Sequence, residues 1–216
     1  MKPPEKTTTL ERDQANIVIL GAFNPAIFHT SWLLSNNVIS KEDAEDTDIK
    51  VVHPEISTMF IGKWLNIEIT RERFFVFCDE PHSFLRMRDF VQGCLLLLEH
   101  TPVTALGINF QKVLSIKSKE RLDKIVSEWC FPSRWSEILD SPSFNSIKVR
   151  GEKAKEDCLY LTVKITDKVD FGLAISFNYH KQPDNLTALG IVQILNNEWK
   201  QRLEDSNRIS KVIIGE

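Results

Sequence analysis

Two long segments with helical periodicity lie in different halves of the chain, and segments with the alternating pattern of β-strands precede each of them. The first runs from Phe84 to Leu98, where apolar side chains recur three or four residues apart. The second opens at Pro183, and its apolar side chains follow one helical face: Ala188, Val192, Leu195, Trp199 and Leu203. Helices segregated from hairpin strands are typical of an antiparallel sheet covered by helices. The pattern therefore predicts an α+β fold in which two long helices cover an antiparallel sheet.

The predicted strands repeat in a similar order in the two halves. Alternating residues over 59–69 and 74–77, with a polar turn between them, predict a hairpin before the first helix. Three strands are predicted before the second helix, over residues 146–149, 158–166 and 170–178. A strand is predicted after each helix, over Val103–Ile116 and over residues 211–214. This order of hairpin, helix and strand predicts a pseudo-twofold duplication, and a single unduplicated sheet is the alternative.

The chain has the size and composition of one domain. Its 216 residues are 42% apolar and 26% charged, which is enough for a sizeable core. No Pro-, Gly- or Ser-rich linker divides the chain, which favours a single domain over residues 14–216 with possible halves 14–116 and 117–216. Residues 1–13 are polar and charged, and we expect them to form a disordered or extended N-terminal arm.

Charge, apolar runs and cysteines bear on where the protein acts. A net charge of −3 argues against a surface that follows nucleic-acid phosphates over its whole extent. The chain lacks the apolar segment of a secretory signal and any run of about 18 apolar residues. The four cysteines lie far apart among apolar neighbours, which predicts buried reduced thiols: Cys78, Cys94, Cys130 and Cys158. We therefore expect a cytoplasmic protein with no membrane partner.

The densest titratable cluster is the sequence CDEPH over residues 78–82. Asp79, Glu80 and His82 are candidates for the rim of a small-molecule pocket between sheet and helix. A thiol at a helix N-terminus is more easily ionised, and His82 is a candidate base for Cys78. The alternative is capping, in which the acidic side chains satisfy free N–H groups at the start of a helix.

A second candidate site follows the apolar strand of residues 16–23. Asn24 and Pro25 make a tight exit from this strand, and functional residues often lie on loops at strand ends. Asn24, His29 and Trp32 are therefore candidates for a pocket mouth. The alternative is a helix start with Asn24 as its cap and Pro25 in its first position.

The motifs of several common enzyme classes are absent from the sequence. No glycine-rich phosphate loop, HExxH zinc motif or GxSxG nucleophile motif occurs. The acidic residues of segment 41–48 lack the spacing of a calcium-binding EF-hand, and we expect a solvated surface loop there. These absences favour no catalytic residues, no metal and no cofactor.

Basic residues gather in segments 112–124 and 148–155, which raises nucleic-acid binding as a further function. Glu120, Asp123 and Glu152 interrupt the positive charge, and no aromatic RNA-binding signature accompanies it. A solvated face of mixed charge is the alternative.

The segment TPVTALGINF, which follows a long helix in this element order, resembles the mid-chain strand of a sporadically distributed family of uncharacterised bacterial proteins. The resemblance covers about ten apolar, structural residues and the general layout. It implies a bacterial accessory protein and assigns no catalytic residue.

Three functions remain open on these observations. A non-enzymatic module that binds another protein or itself, as in a homodimer, is favoured, because no catalytic motif is present. The second is a small-molecule-binding protein or enzyme with a pocket between sheet and helix. The third is nucleic-acid binding through a local basic patch.

Overall fold

A computed structural model of the protein describes residues 8–129 and 135–216, and its centre is one antiparallel sheet. The nine strands are β1 (Thr8–Gly21), β2 (Asp48–His53), β3 (Ile56–Ile61), β4 (Leu65–Thr70), β5 (Arg73–Cys78), β6 (Val103–Ile116), β7 (Ser146–Ala154), β8 (Asp157–Thr166) and β9 (Gly172–Lys181). The helices are α1 (Thr30–Ser35), α2 (Lys41–Glu45), α3 (Phe84–Leu97), α4 (Lys119–Ser127) and α5 (Ala188–Ile214). Two 3₁₀ turns, Pro25–Ile27 and Pro81–Ser83, precede α1 and α3.

The long strands β1 and β6 form the middle of the sheet, whose order is β2-β3-β4-β5-β1-β6-β9-β8-β7. They pair with each other over almost their whole length, from Thr8 opposite Ile116 to Gly21 opposite Val103. On its other side each of them pairs with the last strand of the meander that follows it, β5 for β1 and β9 for β6. Every strand pair is antiparallel. Because β1, β6 and β9 are neighbours in the sheet but far apart in the sequence, their register brings together residues from distant parts of the chain.

The main core lies between one face of the sheet and the helices. The helices α3 and α5 pack against each other, with their main contacts to the sheet at β5, β6 and β9. Phe110 of β6 is at the centre of this layer, 5.3 Å from the ring of Trp199 and 6.5 Å from that of Phe84. Burying an aromatic side chain of this size contributes about 1.5–3 kcal/mol. The apolar faces of α3 and α5 are thus explained by contact with the sheet.

The prediction of a sheet covered by two long helices is wrong, because the sheet dominates the fold. It has nine strands, and five helices accompany it in the described part of the chain. The outer strands extend beyond the main contacts of α3 and α5. The alternate residues of β1 and β9 remain partly exposed, as do Asn109, Gln111 and Ser115 of β6, so the helices leave this part of the second sheet face uncovered. Sequence periodicity identified the helices but did not determine how many strands they would have to cover.

The predicted duplication of hairpin, helix and strand is also wrong. Residues 211–214 form the last turn of α5, so no strand follows the second long helix. The buried Ser206, Ser210 and Ile214 continue one helical face at intervals of four residues. Gly215 then ends the helix in the left-handed conformation, with φ of 73°, which glycine adopts without steric cost. Three β-branched apolar residues in a row, Val212, Ile213 and Ile214, had the composition of a strand, but a buried helical face and a glycine cap decided the outcome.

Two further segments of the first half differ from expectation. Residues 59–69 belong to two strands, β3 and β4, which a turn at Gly62 and Lys63 separates. Most of the acidic segment 41–48 forms the helix α2. Ser40 and Asp43 cap the N-terminus of this helix with a reciprocal capping box. Asp43 is only 6% exposed, so this segment is not a solvated loop throughout.

Other predicted elements agree with the structure. The strand Val103–Ile116 has the predicted bounds, and α3 begins at the predicted Phe84. Residues 8–13, which the sequence assigns to a disordered or extended N-terminal arm, instead form the first part of β1 and pair with β6. Cys78, Cys94 and Cys158 are buried free thiols, and Cys130 lies outside the described residues. Among the helices that the structure describes, none is both long and apolar enough to cross a membrane.

Candidate functional site

Three asparagines form a continuous row across the uncovered face of the central strands. Asn16 of β1 lies opposite Asn109 of β6, and Asn109 lies opposite Asn178 of β9. Asn109 Nδ2 donates to Asn16 Oδ1 at 2.7 Å, and Asn178 Nδ2 donates to Asn109 Oδ1. We call these three residues the amide row. Their alternation with the buried Ile17, Ile108 and Phe177 places them on the face away from the helices.

The amide row forms the floor of a cavity of about 620 Å³. Gly107 also lines this cavity, and a Cβ at this position would lie 3.4 Å from the Nδ2 atoms of both Asn109 and Asn178. Any larger side chain at this position would project into the cavity. The absence of a side chain at position 107 therefore keeps the space above the amide row open.

The two ends of the cavity differ in polarity. Val18, Leu20 and Ala105 line one end, and they provide apolar surface. Polar side chains from four strands line the other end: Gln111, Ser176, Thr162 and Lys148. A molecule in the cavity would therefore meet the amides in the middle, apolar side chains with the His180 imidazole at one end, and hydroxyls with an ammonium at the other.

Tyr160 forms a wall of the cavity next to the amide row, since it lies opposite Asn178 on the neighbouring strand β8. Nζ of Lys148 is 5.1 Å from the centre of its ring, and the guanidinium carbon of Arg150 is 5.9 Å from it. The imidazole of His180 meets the same ring edge-on, with the ring centres 6.3 Å apart. Cationic side chains attracted to one aromatic ring keep positive charge at this wall.

No carboxylate belongs to the described lining of this cavity, although the chain has 30 acidic residues. Its ionisable side chains are Lys148, His180 and Tyr160. The lining therefore favours a neutral or negatively charged ligand over a cation.

The amide row has free hydrogen-bonding capacity at both ends. Among the described residues, no partner meets the Asn16 Nδ2 donor or the Asn178 Oδ1 acceptor. A primary amide offers two donor hydrogens and an acceptor oxygen, so each end can bind a polar group of a ligand. This arrangement suits reversible recognition of polar groups.

The residues predicted at the start of α3 do not converge on this cavity. The His82 side chain is 80% exposed, and its Nε2 lies 3.3 Å from Glu80 Oε2. Glu80 also accepts a hydrogen bond from Ser83 Oγ at 3.4 Å. Asp79 is exposed and lines a smaller depression of about 380 Å³ beside residues 10–14 of β1.

Cys78 is not paired with His82. Its Sγ donates to the carbonyl oxygen of Glu80 at 3.4 Å. Burial raises the pKa of Cys78 to about 11, so the neutral thiol predominates at pH 7. Burial likewise raises the pKa of Cys94. Neither thiol has the ionised state that a nucleophile needs.

The second predicted group caps two short helical segments. Asn24 Oδ1 accepts from the backbone N–H of Ala26 at 3.2 Å, and His29 Nδ1 accepts from that of Trp32 at 3.2 Å. The Trp32 ring packs on Phe28, with the ring centres 5.4 Å apart. Because β1 and β5 are antiparallel, Asn24 and Asp79 lie beyond opposite ends of the segment over which these strands pair, which is about 20 Å long. The two predicted groups therefore cannot form one site.

One basic segment is partly withdrawn from solvent. Lys112 is 3% exposed, and its Nζ lies 2.7 Å from Asp13 Oδ2. A lysine so buried and paired does not contact a nucleic-acid phosphate. In the second basic segment, by contrast, Lys148 borders the cavity.

Sequence reasoning missed the amide row, although each asparagine interrupts an apolar strand: NIVIL, GINF and SFNY. An asparagine on one face of an apolar strand indicates that this position is partly exposed. It does not indicate which residue of a neighbouring strand it will contact. The cavity depends on strand register, which joins residues 93 and 69 positions apart.

In the described part of the chain, no cluster of three or more His, Cys, Asp or Glu side chains has the arrangement to hold a metal ion. No protein-family model matches the chain, and no curated protein sequence matches it either. The resemblance of the VTALGINF strand therefore stays a prediction.

Proposed function

We propose that the protein is a non-catalytic binding module for a small polar molecule, which it holds over the amide row on the uncovered face of the sheet. The observation that carries this proposal is a hydrogen-bonded row of three asparagines at the floor of a cavity without carboxylates. The three asparagines are partly exposed, so the free donor of Asn16 and the free acceptor of Asn178 are open to a polar ligand in the cavity.

The size and composition of the cavity support a small-molecule ligand. Pockets for such ligands usually measure about 300–1,000 Å³ and combine apolar surface with a few convergent polar groups. The volume of about 620 Å³ lies within that range, and both kinds of surface are present. The location differs from the expected pocket between sheet and helix, because the cavity opens on the face away from α3 and α5.

Substitution of Gly107 tests this proposal directly. A panel of nucleosides, sugars and amino acids, with their phosphorylated forms, would be screened by saturation-transfer NMR. We expect at least one compound to bind the wild type, and Gly107→Val to abolish that binding by filling the cavity floor. Gly151→Val is the matched control, because a Cβ at this position on edge strand β7 makes only ordinary contacts, the nearest at 3.9 Å.

Two outcomes would count against a ligand over the amide row. One is a panel in which no compound binds at millimolar concentration. The other is a set of binding compounds that Gly107→Val retains at full affinity while circular dichroism shows it folded.

Self-association through β2 is a second candidate, and a specific observation favours it. The six residues of this edge strand are all exposed, and they include Ile49, Val51 and Val52 at 50%, 42% and 42%. An exposed apolar edge strand presents unpaired backbone groups to another strand. We propose that a second copy of the chain pairs there in a homodimer.

Sedimentation of the purified chain tests this second proposal. We expect a dimer at tens of micromolar, and Val51→Lys should shift it to a monomer because charge blunts an edge strand. The matched substitution Val149→Lys on the opposite edge strand, β7, should leave the dimer intact; Val149 is similarly exposed at 49%. A monomeric wild type at all concentrations would refute self-association.

We also propose a cytoplasmic location. Three buried free thiols support it, because reducing compartments keep such residues unpaired: Cys78, Cys94 and Cys158.

A further inference from the structure

A second row of side chains crosses the polar end of the cavity, two residues along the strands from the amide row. Ser176 of β9 lies opposite Thr162 of β8, and Thr162 lies opposite Lys148 of β7. Adjacent strands are about 4.8 Å apart, so the three side chains are close enough to contact one ligand group that lies above Thr162. We call these three residues the donor row.

The Ser176 hydroxyl can donate a hydrogen bond into the cavity. Gln111 Nε2 donates to Ser176 Oγ at 3.1 Å, which occupies the oxygen as an acceptor and leaves its own proton. In the part of the chain that the structure describes, neither this hydroxyl nor that of Thr162 meets an acceptor. Both hydroxyls can therefore donate to an acceptor on a ligand in the cavity.

Lys148 adds a positive charge to the donor row. Within the described residues no carboxylate pairs with it, and its nearest assigned contact is the Tyr160 ring. Arg150 is more fully engaged, since its guanidinium lies 3.4 Å from Glu152 and donates to Cys158 Sγ at 3.2 Å. Lys148 is thus the cation that remains for a ligand.

We propose that the ligand carries a phosphate monoester, which the donor row binds while the uncharged part of the molecule lies over the amide row. This inference rests on the proposed function. A phosphate accepts several hydrogen bonds at once, and a lysine ammonium binds it as a compact point charge. The two rows are about 7 Å apart along the strands, a separation that a molecule of the size of a sugar phosphate or a nucleotide can span.

The test is calorimetric titration with matched pairs that differ only in the phosphate. One arm uses the four ribonucleosides and their 5′-monophosphates, the other glucose and its 6-phosphate, and inorganic phosphate is titrated alone. We expect the phosphorylated member of a pair to bind about tenfold more tightly, and this advantage to shrink at about 0.5 M salt. The arm that binds identifies the source of the phosphate.

Three variants separate the donor row from general charge effects. Lys148→Met keeps the aliphatic stem and should remove the advantage of the phosphorylated member. Thr162→Val, which deletes one hydroxyl, should reduce it. Lys164→Met is the control, because Lys164 is exposed on the same face of β8 but does not line the cavity.

The outcomes distinguish the two proposals. Equal affinities within each pair, unaffected by Lys148→Met, would overturn the phosphate inference and leave the amide-row proposal standing. A loss in Lys164→Met equal to that in Lys148→Met would also overturn it, because the effect would then come from net charge. If neither member of any pair binds, the phosphate inference falls together with the binding of these compounds over the amide row.

Discussion

Asp43 illustrates how one buried carboxylate joins three elements. It accepts hydrogen bonds from Ser40 Oγ at 2.8 Å and from Trp64 Nε1 at 3.1 Å, and it forms an ion pair with Arg86 of α3. Arg86 also lies over the Trp64 ring, 4.4 Å from its centre. Burial alone would raise the pKa of Asp43, but the hydrogen bonds from Ser40 and Trp64, together with the charge of Arg86, outweigh it and lower the pKa.

The lowered pKa predicts a specific loss of stability in acid. The ionised Asp43 stabilises the fold fully above the unfolded pKa near 3.8, and this contribution is lost as pH falls through the lower folded pKa. We expect Asp43→Asn to reduce the free energy of unfolding at pH 7 by about 1–3 kcal/mol. Below pH 4 the difference from the wild type should narrow. Urea unfolding of both proteins between pH 2.5 and 7 measures this difference in the free energy of unfolding. A difference that stays constant over this range would contradict the lowered pKa.

At the scale of the element, the hairpin of β3 and β4 depends on its turn. The Trp64 N–H donates to the Ile61 carbonyl at 3.1 Å, and the two residues between them, Gly62 and Lys63, have φ of 52° and 60°. Two successive positive φ values are the mark of a type I′ turn, whose twist matches that of a hairpin. A Cβ at position 62 would lie 2.4 Å from Asp43 Oδ1, so the turn also packs on the buried carboxylate.

The two turn positions should respond differently to the same side chain. Gly62→Ala combines a positive φ with a collision against Asp43, and we expect it to lower the free energy of unfolding by about 2 kcal/mol or more. Lys63→Ala retains the positive φ and loses only an exposed ion pair with Asp46, so it should cost less than about 1 kcal/mol. Thermal or urea unfolding compares them, and equal effects would show that the contact with Asp43 does not matter.

At the scale of the whole molecule, resistance to local opening should be greatest at the centre of the sheet and should fall toward its edges. The central strands β1, β6 and β9 have paired neighbours on both sides and lie beneath or beside α3 and α5, whereas β2 and β7 are edges. Local opening requires least energy where few buried contacts are broken.

Hydrogen exchange should therefore follow strand order. We expect the paired amides of β6 to exchange slowest and those of β2 fastest, with β3 and β8 between them. Mass spectrometry of peptides after timed exchange measures this order at low protein concentration, where an intermolecular edge would not form. Protection of β2 equal to that of β6 under these conditions would contradict the architecture.

The sequence by itself determined the elements whose signals are local. The fourteen residues of β6 and the start of α3 follow from alternation, helical spacing and a proline turn, which depend on neighbours a few residues away. The capping roles of Asn24 and Ser40 are local as well, although only that of Asn24 was anticipated. Residues 211–214, of which three are apolar, show the limit, because their composition suits a strand while their tertiary neighbours bury a helical face.

Only the tertiary structure decided the number of strands, the uncovered face and the cavity. Asn16, Asn109 and Asn178 meet because β1, β6 and β9 pair in one particular register, and a shift of one residue would turn these side chains toward the helices. Ser176, Thr162 and Lys148 align for the same reason. Local sequence sets which way each strand alternates, but pairing between strands that lie far apart in the chain determines which polar side chains share a site.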